Sequence, residues 1–92
     1  MATVLVSAQR DGSFFVKVKD GKTETSHVVT VPSELRTAVS LPGTSDEELV
    51  RASFAFLLER EPATSVLPRF SLDVIQRYFP EYLSEVPGYV AR

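Results

Sequence analysis

Hydrophobic and polar positions alternate with a period of two through the first third of the chain and change to a helical period after Pro32. The runs "TVLVSA" (Thr3 to Ala8), "SFFVKVK" (Ser13 to Lys19) and "TSHVVTV" (Thr25 to Val31) are rich in β-branched and aromatic residues. Asp11-Gly12 separates the first two and Asp20-Gly21 ends the second, both strong turn signals. This spacing predicts a three-stranded antiparallel meander. In the second run Phe14, Val16 and Val18 share one side while Phe15, Lys17 and Lys19 share the other, which assigns the all-apolar set to the core. Val4, Val6 and Ala8 are the matching inward set of the first strand. In the third, burying Val29 with Val31 leaves Ser26 and Thr30 in water and turns His27 inward near the sheet edge.

The remainder reads as helical. Pro32 suits the first position of a short helix, "PSELRTAV", because its missing N–H is not needed there, and "LPG" (Leu41 to Gly43) stops it. Ser45 followed by Glu48 is a capping box, and Asp46 and Glu47 place negative charge at the positive end of the next helix. On a helical wheel Leu49, Val50, Phe54, Phe56, Leu57 and Leu58 fill an arc of roughly 200°, about twice the stripe that a helix lying on one sheet requires. This helix, Ser45 to Arg60, is therefore expected to be covered on two sides, with Ala52 and Ala55 on the charged side beside Glu48, Arg51 and Glu59. Pro62 ends it.

The stretch "PATSVLPRF" is too apolar for a solvated loop and is expected to hold one helical turn near Thr64 to Leu67 that packs down. Ser71 then caps "LDVIQRYF", in which Leu72, Ile75 and Phe79 recur at helical spacing with Tyr78 beside them. Pro80 interrupts, "PEYLSEV" makes a last turn, and "PGYVAR" is a tail. The expected fold is a single α+β domain over residues 1–92: an N-terminal three-stranded antiparallel β-meander packed against two to three C-terminal helices.

Composition agrees and removes several chemistries. At 92 residues, 43% hydrophobic and 24% charged, the chain supports one modest core and resembles an ordinary globular domain. It contains no cysteine, which excludes disulfides, thiolate catalysis and thiolate-held metals. The net charge of −2 is split, +1 through Thr44 and −3 beyond it, so the positive field that drives non-specific nucleic-acid binding is missing. The opening residues carry no basic region before an apolar run, and that run is too short for a signal peptide or membrane span. A cytoplasmic location without membrane attachment is the expectation.

His27 is the sole conventional general base near neutral pH. Ser26 and Ser33 are close in sequence, but activating a serine needs a geometry that one histidine in a strand does not provide, and a strand-edge histidine bonded to backbone or water is the simpler reading. The acids of "SDEE" and "EREP" are explained by the helix N-terminus and its solvated side. The four glycines are isolated and form no phosphate loop. No catalytic, cofactor-binding or metal-binding residue is therefore assigned, and no cofactor is expected. "KVKDGK" reads as a solvated hairpin. Among Phe70, Tyr78, Phe79, Tyr82 and Tyr89 most belong to the core; Tyr78 and Tyr82, the amphipathic aromatics nearest the helix end, are the candidate partner-binding residues.

Two segments resemble known families. "HVVTVPSELRTAVSLPGTSDEELVRASFAFLLERE" resembles a ribbon-helix-helix DNA-binding domain: a strand ending in Val-Pro, a helix beginning "SEL", a glycine-containing turn and a capped second helix. That resemblance implies a dimeric ribbon whose groove-reading positions are His27 or Ser26, Val28 and Thr30, although the strand lacks the arginines, lysines and glutamines that usually read bases. "SFAFLLEREPATSVLPRFSLDVIQRYFPEY", Ser53 to Tyr82, resembles a segment of a family of small uncharacterised bacterial proteins, mostly of actinomycete type. It implies relatives but no activity. The functional expectation is a small non-enzymatic protein-protein interaction module for an unidentified protein partner, able to homodimerise through an edge strand; the alternative is a ribbon-helix-helix-like DNA-binding regulator or antitoxin.

Overall fold

The computed structural model describes residues 2–39 and 41–90 and is α+β, with a four-stranded mixed sheet and helices layered on one of its faces. Strands β1 (Thr3–Ala8), β2 (Phe14–Asp20) and β3 (Thr23–Thr30) form the expected antiparallel meander. Gly12 (φ 90°) and Gly21 (φ 62°) take the left-handed backbone that the two turns need. Asp11 accepts the Ser13 backbone N–H at 2.9 Å and the Ser13 hydroxyl at 2.6 Å. The hydroxyl contributes most to holding the Asp11 carboxyl below its usual range.

Phe14, Val16, Val18 and Val29 are buried and His27 points inward with them. On the opposite face Leu5 is exposed and Phe15, Lys17 and Val28 are half-buried. The inward assignments of β2 and β3 thus match the alternation, whereas Ala8, at the end of β1, is exposed.

A fourth strand corrects the three-stranded expectation. β4 (Arg69–Ser71) pairs in parallel with Val28–Thr30 of β3. Two helices, α1 (Ser33–Val39) and α2 (Asp46–Leu58), form the crossover between β3 and β4, and a crossover of that length is what parallel pairing requires. Pro32 precedes α1 as its cap, its carbonyl accepting from the Leu35 and Arg36 N–H groups, rather than standing inside the first turn. The Ser45–Glu48 capping box of α2 is present in both directions, at 3.1 and 3.2 Å.

Helix α2 is covered on two sides. Phe54 faces the sheet, its ring 5.3 Å from His27 and 6.1 Å from Phe70 of β4. Phe56 points the other way and is ringed edge-on by Phe79, Tyr82 and Tyr89 at 5.3 to 6.0 Å. The arc is wider than the wheel predicts, since Ala52 and Ser53 are buried as well.

A 3₁₀ turn at Ala63–Ser65 stands where a helical turn is expected, one residue earlier. Leu72–Val74 is a second 3₁₀ turn leading into the short helix α3 (Ile75–Tyr78), and Ser71 gives it no side-chain cap. The expected tail is helical instead: α4 (Tyr82–Val90) runs through Pro87. Proline there removes the N–H that would reach the Leu83 carbonyl. The burial of Tyr82 and Val86 against α2 offsets that loss. Ala91 and Arg92, the end of the expected tail, lie outside the described residues.

Candidate functional site

Among the described residues three large hydrophobic side chains are exposed: Leu5, Leu67 and Tyr78. Leu67 and Tyr78, 47% and 69% exposed, flank one cavity of about 390 Å³ between the 3₁₀ turn, β4 and α3. Its floor is apolar, formed by Leu57 of α2, Val66, Phe70 of β4 and Ile75 of α3. Glu61 and Ser65 supply its polar wall.

Local chemistry explains why this groove stays open. Leu67 precedes Pro68, which restricts it to extended backbone, and Val66 before it is extended too (φ −79°, ψ 134°). The Pro68 carbonyl accepts from the Val28 N–H at 2.8 Å, which starts the parallel ladder. His27 fixes the preceding residue: its Nδ1 lies 2.8 Å from the Leu67 carbonyl oxygen and its Nε2 2.9 Å from the Thr25 hydroxyl. A carbonyl can only accept, so Nδ1 carries a proton. The Leu67 backbone is therefore tied to β3 while its side chain is directed outward. His27 itself is 2% exposed, with both ring nitrogens engaged and its face against Phe54.

Of the two tyrosines singled out by sequence, the structure leaves Tyr78 on the rim and withdraws Tyr82. Tyr82 is fully buried, its hydroxyl 2.6 Å from Ser53 Oγ. Ser53 donates its one proton to the Leu49 carbonyl at 2.7 Å, so Tyr82 is the donor of the pair. Burial pushes the Tyr82 phenol up to about 12, with the Ser53 hydrogen bond opposing. A side chain with no exposed surface cannot anchor a partner; Tyr82 instead closes the α2–α4 interface. Tyr78 ends α3 and Tyr82 begins α4, so the break at Pro80 turns the two tyrosines in different directions, which their four-residue spacing does not reveal.

Sequence reasoning missed Glu61 and Leu67 as groove residues and Arg60 as the polar hub beside it. The Arg60 guanidinium lies 3.6 Å from the centroid of the Phe56 ring and donates to Glu81 at 3.2 Å, Glu85 at 2.9 Å and the Phe56 carbonyl at 3.0 Å. Hydrogen bonding to Tyr89, ahead of Glu81, raises its pKa, while burial opposes. Arg60 is therefore occupied in joining α2 to α4. The Glu61 carboxylate, half-buried, has no ion-pair partner among the described residues. The signal available in the sequence was the pair of prolines bracketing an apolar segment.

The positions implied by the ribbon-helix-helix resemblance do not form a ribbon. Ser26, Val28 and Thr30 share the open face, but β3 is hydrogen-bonded to β2 along its length and to β4 at Val28–Thr30. Helix α1 is seven residues long. No described helix is long and apolar enough to cross a membrane, and no three His, Asp or Glu side chains among the described residues cluster as metal ligands. Comparison with known proteins finds no family model, curated protein or solved structure that matches the chain.

Proposed function

We propose that the chain is a small non-enzymatic interaction module that docks an apolar peptide segment bearing one basic group in the groove between the 3₁₀ turn, β4 and α3. The reading is carried by one observation: among the described residues, two of the three exposed large hydrophobics flank a cavity of about 390 Å³ whose lone charge is a half-buried carboxylate without an ion-pair partner. Tyr78 and Leu67 supply amphipathic and apolar contact area, and Glu61 supplies orientation and selection by charge. A lone acid beside an apolar floor disfavours acidic partners and rewards a lysine or arginine that would shield it.

The test is a titration of the labelled protein followed by amide chemical shifts. The probe is a capped pentapeptide of leucine and phenylalanine around a central lysine, compared with the same peptide carrying norleucine in its place. The lysine peptide is expected to perturb amides of Leu67, Val74 and Tyr78, and both the norleucine peptide and Glu61→Gln to weaken binding about tenfold, equivalent to ~1.4 kcal/mol. Perturbations absent from this segment with both peptides would overturn the reading.

A further inference from the structure

The edge of the sheet opposite the groove has a different character. β1 is an outer strand, Thr3–Ala8, and it contains no charge, proline or glycine. Its register with β2 runs without a bulge from Thr3 opposite Lys19 to Ala8 opposite Phe14. Free edges in soluble proteins normally carry lysine, proline, a bulge or a short strand to prevent pairing with another chain. The far side of the sheet follows that rule, since β4 has three residues and one of them is Arg69. β1 has none of these protections.

The outer face of this edge sets Leu5 between Thr3 and Ser7, and the inner face joins apolar side chains with carboxylates. Leu5, 49% exposed, stands on the outer face. On the inner face Ala2, Val4, Leu58 and Pro62, together with Asp20, Glu59 and Glu61, wall a groove where α2 crosses the strand. The Gln9 N–H donates to the Ser13 carbonyl, so the odd-numbered residues direct their backbone groups to β2. The ladder alternation then leaves the N–H and C=O of Val4, Val6 and Ala8 on the free edge.

We propose that β1 is a dimerisation edge: two copies pair β1 with β1 antiparallel about a two-fold axis normal to the sheet, Leu5 opposite Leu5, giving one eight-stranded sheet. Residues opposite one another must share a face, which restricts the centre to a residue rather than a gap between residues. Centring on Leu5 pairs Ala2 through Ala8 and stops before the turn that begins at Gln9; centring on either neighbour loses pairs. The arrangement sets Val4 against Val6 of the second copy over the inner groove. The contact thus pairs apolar side chains with apolar side chains across the axis, and among the described residues Glu61 is the one that borders both this groove and the groove at Tyr78.

Sedimentation velocity of the full chain across the micromolar to millimolar range is expected to show a concentration-dependent doubling of mass. Leu5→Lys places two ammonium groups face to face and should abolish the dimer; Leu5→Glu should do the same, and an equal mixture of the two variants should restore it. Because the chain has no cysteine of its own, register can be read by cross-linking. Leu5→Cys should form a disulfide-linked dimer, since directly opposite non-hydrogen-bonded residues lie about 4.5 Å apart at Cα. Ser7→Cys, equally outward but opposite Thr3, should not. A monomer at every concentration, a dimer indifferent to Leu5→Lys, or equal cross-linking of the two cysteine variants would overturn the proposal. Circular-dichroism melts of each variant establish that the comparison is between folded proteins.

Discussion

Helix α2 packs the same kinds of side chain on two neighbours and reaches opposite results. Towards α4, Phe56 is enclosed by three aromatic rings, the Tyr82 hydroxyl is satisfied by Ser53, and Arg60 covers the ring with its polar ends on Glu81 and Glu85. Towards β4 and α3, Leu57 and Phe70 floor a cavity that remains open, with Tyr78 and Leu67 standing beside it. Aromatic content does not distinguish the two regions. The first has a second helix delivering complementary groups at the right height, and the second has a three-residue strand whose lead-in, Leu67 and Pro68, is tied to β3 by His27 and Val28.

The strongest way to break this contrast is to open the closed side. Tyr82→Ala should lower stability by about 3–5 kcal/mol in urea unfolding, because the ring is fully buried. Tyr82→Phe keeps the ring and leaves Ser53 bonded to Leu49, so about 1 kcal/mol is expected. Similar losses for the two would mean that the hydroxyl, not the packing, closes the interface.

The same buried phenol predicts a pH dependence. Its pKa in the fold, about 12, lies above the ordinary value of 10.0. The unfolded chain therefore releases this proton first as pH rises. Its contribution is complete below pH 10 and is lost as pH climbs through 12, by about 2–3 kcal/mol in all. Chemical denaturation at stepped alkaline pH measures it, and Tyr82→Phe should flatten that part of the profile. An unchanged slope in the variant would assign the alkaline loss to other groups.

Arg60→Gln should cost less, about 1–2 kcal/mol, since its carboxylate partners are substantially exposed and only the contact with Phe56 is shielded from water. The smallest effect is expected from Tyr78→Ala, within about 0.5 kcal/mol for a side chain that is 69% exposed. This variant should nevertheless remove the response of the groove to the lysine peptide. A large loss of stability from Tyr78→Ala would show that the open region is a structural contact, and the contrast between the two sides would fail.

Much of the fold was legible because its signals are local. The Asp-Gly turns, the alternation in Phe14 to Lys19 and the Ser45–Glu48 box act over a few residues, and each forms where the pattern puts it. The two-sided burial of α2 was legible in the width of its apolar arc. β4 was not, because "RFS" has no period and its pairing with Val28–Thr30 depends on where the crossover returns the chain. The helix through Pro87 was not either, since propensity argues against it and tertiary burial of Tyr82 and Val86 prevails.

The sequence by itself determined an α+β chain with an antiparallel meander, a capped helix with two buried sides, and a composition without thiol chemistry or a strong positive field. Only the tertiary structure decided which of Tyr78 and Tyr82 meets solvent, that His27 fastens Leu67 to β3, and that Glu61, with no ion-pair partner among the described residues, stands beside an apolar cavity. The physical reason is range. Turns, caps and alternation are set by neighbours along the chain, whereas exposure and pairing belong to contacts between residues such as Ser53 and Tyr82 or His27 and Leu67, which are distant in sequence and meet when the helices settle on the sheet.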